Sequence, residues 1–181
     1  MNKALAHISE DGSRTQTVYE HLSGTAHLAG AFAAPFGAAQ EAAYAAWLHD
    51  IGKYSAAFQQ RLAGGCATDH STAGAQEAMK GRVPHVQAAF AVAGHHTGLP
   101  DGGNKRTADA ADGTLFGRLK KPVEPYEGWR EVALPQSAPP DWANRDPLDF
   151  AFFTRMLYSC LVDADFLDPE TFMNGQAAPR G

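Results

Sequence analysis

Between Thr15 and His96 apolar positions recur at helical spacing, and glycines and prolines cut the pattern into five pieces. The first predicts a helix from about Thr15 to Ala34, broken by Pro35-Phe36-Gly37. The second covers roughly Ala38 to Asp50 and ends at Gly52. Ser55 is a predicted N-cap for a short third helix through Leu62, which Gly64-Gly65 stops. Asp69 or Ser71 can cap a fourth, to about Met79. Pro84 suits a first helical turn and opens a fifth, ending around His95. From Thr97 to Pro147 the periodicity gives way to Gly, Pro, Asp and Lys. An irregular stretch this long predicts a functional or mobile loop. A last helix is expected from about Pro147 to Leu167, with Pro169 marking its end. No stretch reads as a strand, so the expected class is all-α, a helical bundle with a long irregular loop before the last helix.

Composition narrows the function classes. The 181 residues are 44% hydrophobic and 19% charged, which suits one globular domain rather than a disordered chain. Alanine crowds the segment from Ala26 to Ala93 and favours helices that pack closely. A formal charge of -5 and a pI near 5.9 give no global attraction for nucleic acid, so any grip on it is local. Such a local cluster lies in the loop: Lys105, Arg106, Arg118, Lys120 and Lys121. Cys66 and Cys160 give no disulfide framework and fit inert thiols in a reducing compartment. No apolar run approaches the roughly 18 residues of a membrane span, and the N-terminus has no signal-peptide form. A cytoplasmic protein without membrane contact is expected. After Phe172 the sequence turns to Asn, Gly, Gln and Pro, which divides the chain into a domain over 1–172 and the start of a linker over 173–181.

The chemistry concentrates in two adjacent pairs, His49-Asp50 and His95-His96, each at the end of a predicted helix. Imidazole nitrogens and carboxylate oxygens together suit transition metals. Consecutive helical residues point about 100° apart, so both members of a pair reach one site only if it lies over the helix end. His21 shares a helix face with Val18 and Leu28, and an inward histidine needs a partner that a metal can supply. His70 follows Asp69 at a helix start. On the last helix Asp165 has Leu157, Tyr158, Leu161 and Val162 as helical neighbours, and Asp163 has Met156, Ser159 and Cys160. Asp165 is therefore preferred as the inward carboxylate, with Asp163 as the alternative and otherwise a residue that orients a ligand. The expectation is a metal-dependent phosphohydrolase. Its His-rich ligand set favours two divalent ions such as Mn, Fe, Co or Ni over Mg.

The ordered blocks are His21, His49-Asp50-Ile51-Gly52-Lys53, Asp69-His70-Ser71, the run His95 to Gly103, and Leu161 to Asp168. Together they resemble the HD nuclease domain of the CRISPR type I nuclease-helicase, most like the subtype I-C branch. The resemblance spans about residues 15–172 and implies an all-helical HD fold and a two-metal nuclease for single-stranded DNA. It implies one ion held by His21, His49, Asp50 and Asp165, and a second held by Asp50, His70, His95 and His96. Asp50 would bridge the two, and Lys53 matches the family's lysine beside the pair, so Asp50 and Lys53 are the candidate catalytic residues. Asp168-Pro169-Glu170 departs from a more usual Asp-Thr-Glu. No Gly-x-x-x-x-Gly-Lys-Ser/Thr phosphate loop is present, so a helicase motor would be a separate domain or subunit. The implied partners are single-stranded DNA, that helicase and a CRISPR surveillance complex, with the chain itself a monomer.

Two ions about 4 Å apart would bracket a scissile phosphate, and Lys53 would offset charge developing on it. The basic loop could track a DNA backbone, with Trp129, Tyr126 or Trp142 stacking bases, although a solvated surface and packing anchors are the commoner roles for such residues. His7, His27 and His85 are expected to be non-ligands. Two other functions share parts of the pattern: an HD phosphohydrolase of nucleotides or cyclic dinucleotides, and a non-catalytic docking module.

Overall fold

The computed structural model describes residues 4–131 and 133–174. A short hairpin precedes the helices: β1 (Leu5–Ile8) pairs antiparallel with β2 (Thr15–Thr17) around a turn through Asp11-Gly12. This corrects the strand-free expectation. Thr15 and Thr17 are β-branched and sit beyond an Asp-Gly turn, and they pair with Leu5–Ile8 instead of opening the first helix. That helix, α1 (Val18–Ala33), begins at a reciprocal cap. Glu20 N–H donates to Thr17 Oγ1 at 3.2 Å, and Thr17 N–H donates back to the Glu20 carboxylate at 2.8 Å.

The remaining helices are α2 (Ala39–His49), α3 (Ala56–Leu62), α4 (Ser71–Ala78), α5 (Val86–Gly94), α6 (Leu115–Arg118) and α7 (Pro147–Asn174). Helix α5 starts at Val86, so Pro84 lies outside it. The described residues are thus all-α apart from the hairpin, in agreement with the expected class. Alanines at 29, 33, 42, 45 and 46 have no exposed surface, which is how α1 and α2 approach closely. Leu22, Leu48, Ile51, Phe153, Leu157 and Leu161 complete a core with α7 running through it. No helix among the described residues is long and apolar enough to cross a membrane.

Two departures matter for the site. Helix α7 does not stop before Pro169 but continues to Asn174. A proline removes one backbone bond, and here Arg14, in the connection between β1 and β2, holds the far end by donating to the carbonyls of Phe172 and Met173. Met173 and Asn174 of the expected linker are therefore helical, and 175–181 lie outside the described residues. The stretch between α5 and α7 is a strap tied down along its length. Gln76 Nε2 donates to the Leu119 and Lys121 carbonyls, Tyr126 Oη to Glu77, and Gln87 Nε2 to Asn144. Of the two thiols, both free, Cys160 is buried and Cys66 exposed.

Candidate metal centre

Four elements deliver histidines to one point. Helix α1 brings His21 and α2 brings His49, both with no exposed surface. Asp50 leaves helical geometry at φ -121°, ψ 20°, which swings its carboxylate over the end of α2. The 3-10 turn that follows, Ile51–Tyr54, lies flush against the next segment. A Cβ on Gly52 would sit 2.3 Å from the His70 carbonyl oxygen, so only glycine lets His70 come this close. His95 and His96 follow the end of α5, and Asp165 comes from α7.

The ring orientations are set from behind. His49 Nδ1 donates to the Ala46 carbonyl at 2.6 Å, His95 Nδ1 to Val92 at 2.8 Å, and His70 Nδ1 to Thr68 at 3.2 Å. His21 Nδ1 donates to the Asp168 carboxylate at 2.8 Å. Carbonyl and carboxylate oxygens only accept, so each Nδ1 carries a proton and each Nε2 is the atom turned to the interior, free to bind a cation once it holds no proton of its own. That is the tautomer a metal ligand needs.

The inward atoms fall into two groups, each within 4.8 Å: His21, His49, Asp50 and Asp165, and Asp50, His70, His95 and His96. In the first, Asp50 Oδ2 is 3.2 Å from His21 Nε2 and 3.3 Å from His49 Nε2, while Asp165 Oδ1 is 3.2 Å from both rings. In the second, Asp50 Oδ1 is 3.3 Å from the Nε2 atoms of His70 and His95. Ligand atoms about 2.1 Å from a shared ion stand about 3.0–3.4 Å apart in octahedral or tetrahedral shells, so these spacings fit. Asp50 Oδ1 and His95 Nε2 are buried with no hydrogen-bond partner, a costly arrangement that a cation would relieve.

The electrostatics also ask for positive charge. At His49 burial opposes a charged ring, but the Asp50 and Asp165 carboxylates outweigh it and push the pKa up to about 10. His21 is likewise raised against its burial, by hydrogen bonds to Asp165, Asp168 and Asp50. Asp50 and Asp165 are held well below the usual carboxylate range despite burial, Asp50 chiefly by Lys53 and His49, and Asp165 by His49 and His21. In the other group burial, then the neighbouring His95, lowers His96 to about 4.

The structure thus brings all seven candidate ligands together. Lys53 stands beside them, its Nζ 2.6 Å from Asp50 Oδ2 and 3.3 Å from His7 Nε2. His7 is a residue the sequence reading set aside. Gln16 Nε2 donates to Asp168, so its Oε1 accepts from His7 Nδ1, and His7 Nε2 is left to accept from Lys53. A cavity of about 440 Å³ opens over this cluster. The local hint of His7's placement is the Asp11-Gly12 pair, a hairpin-turn sequence between the two short strands. The carboxylate that orients a ligand is Asp168, whereas Asp163 is exposed. Gly24 makes room for it, since a Cβ there would fall 1.9 Å from Asp168 Oδ1.

His27 is exposed, and His85 is bonded to Glu41 and stacked on Tyr44. In the strap Arg118 donates to the Ala93 carbonyl and Lys120 to the Ala108 carbonyl, while Lys105 and Arg106 are exposed. Trp129, Tyr126 and Trp142 pack against the core. The HD domain family model matches residues 18–127, a stretch that includes every candidate ligand except Asp165. No curated protein matches the chain.

Proposed function

The chain belongs to the HD domain family, a superfamily of metal-dependent phosphohydrolases, and from that premise we propose that it is a two-metal nuclease of single-stranded DNA. One observation supports this most: Asp50 turns Oδ2 to one pair of imidazoles and Oδ1 to another. His21, His49, Asp50 and Asp165 would hold one ion, and Asp50, His70, His95 and His96 the other. When bound, two divalent ions supply Lewis-acid neutralisation of a phosphate and acidification of water. Nitrogen-rich ligands favour Mn, Fe, Co or Ni in that role.

The chain's own residues do the rest. Asp168 and the backbone carbonyls fix the imidazole tautomers before substrate arrives. Lys53, held between Asp50 and His7 at the cavity wall, offsets charge that grows on the phosphate. The five ordered blocks further support a role in CRISPR type I interference, in the cytoplasm, with the monomeric domain fed by a helicase domain or subunit and a surveillance complex.

The purified chain with Mn or Ni should degrade a single-stranded oligonucleotide, and EDTA or His49→Ala with Asp50→Ala should abolish this. Cleavage that survives both treatments ends the reading. Faster turnover of a deoxynucleoside monophosphate than of the oligonucleotide would replace it with a nucleotide phosphohydrolase.

A further inference from the structure

The cavity over the centre has two unlike walls. One is polar, formed by His7, Lys53, His95 and His96. The other is a face of α7, where Val162, Phe166, Pro169 and Met173 follow at spacings of four, three and four and form an apolar stripe, with Asp165 and Glu170 on the same face. An apolar stripe on a helix ordinarily faces a core. Helix α7 already has such a stripe in Leu157, Leu161 and Ala164, none with any exposed surface. The second faces the cavity, and Phe166 remains 66% exposed.

We propose that this second stripe is a subsite for the nucleobase adjoining the phosphate, with the Phe166 ring as its stacking face. The inference rests on the phosphodiesterase reading. A phosphate drawn to the polar wall brings its nucleoside with it, and the surface across the cavity is the α7 stripe. Glu170 on that same wall suits a base better than a second phosphate. Only an unstacked base can offer its face to a phenyl ring, so the subsite selects single strands over duplex. The other aromatic candidates are engaged: Trp142 packs edge-on against Phe153, Tyr126 donates to Glu77, and Trp129 packs on the core. With a net charge of -5 the chain gains little from long-range attraction to phosphates, which leaves more of the affinity to stacking.

Anisotropy of a labelled single-stranded oligonucleotide with a cleavage-resistant backbone, with Mn and separately with EDTA, tests the subsite. Phe166→Ala should weaken binding about tenfold, the scale of one lost base–aromatic stack. Phe166→Trp should restore it, and an oligonucleotide of abasic sites should bind wild type and Phe166→Ala equally. Leu148→Ala, 77% exposed near the start of α7, should leave binding unchanged. A matching loss with deoxynucleoside monophosphate assigns the same subsite to a free nucleotide; a loss confined to the oligonucleotide assigns it to a strand. Equal affinity of wild type and Phe166→Ala for the normal oligonucleotide, or no measurable binding by wild type, overturns the proposal. Cleavage assayed in parallel separates the two ideas. Binding that depends on Phe166 without cleavage defeats the nuclease reading alone, and cleavage with binding indifferent to Phe166 defeats the subsite alone.

Discussion

The two ligand groups share Asp50 and similar chemistry but are built differently. The first is assembled from α1, α2 and α7, its two histidines have no exposed surface, and their Nδ1 atoms are gripped at 2.8 and 2.6 Å. It reaches the cavity through Asp165 alone. The second draws His70 from just before α4, with a longer 3.2 Å bond behind it, and ends in an exposed His96. Both His95 and His96 line the cavity. The first half of the centre is enclosed, whereas the second, although His95 is buried and held at 2.8 Å from behind, opens to the cavity through His95 and His96. The difference predicts that the first group holds its ion more tightly and the second exchanges it.

Asp50→Ala should have the largest effect, because it removes a ligand from both groups at once. Metal analysis should show both equivalents lost, with cleavage down about a thousandfold or more. Retention of one equivalent would mean that the groups do not depend on a common carboxylate. His21→Ala and His96→Ala come next and test the asymmetry. His21→Ala should cost cleavage about a hundredfold and strip the first ion even at saturating metal. His96→Ala should bind its second ion more weakly yet recover as metal is added. Equal responses would erase the distinction between the enclosed and the open half. The smallest effect should come from Asp168→Asn, which loosens His21 from behind. A drop of about tenfold in affinity for the first ion alone is expected by calorimetry. Asp163→Asn, at an exposed position, should change nothing.

The same contrast explains what could be read from sequence. His49-Asp50 and His95-His96 stand out because an alanine-rich periodic run ends at each, and Gly52 after the first pair signals a sharp turn. Helix ends of this kind are local, and local patterns survive folding. What the sequence hides depends on contacts across the chain. Thr15-Gln16-Thr17 is too short to show an alternation and runs straight into α1, so the hairpin and His7 were hidden. Pro169 reads as a helix stop, and nothing near it announces that Arg14 holds the carbonyls beyond. Asp168 and Asp163 cannot be told apart until Gly24 is seen to clear space for one of them. The strap reads as irregular because its ties, such as Gln76 to Leu119 and Lys121, join residues more than forty positions apart.

The grip of Arg14 on Phe172 joins residues 158 apart in sequence. Early and late segments of the chain are thereby stitched together, and Asp165 lies inside the stitch. During synthesis the first histidines emerge long before their last carboxylate, so the centre stays incomplete until α7 has left the ribosome. A centre assembled in this order is complete only once the last helix is in place.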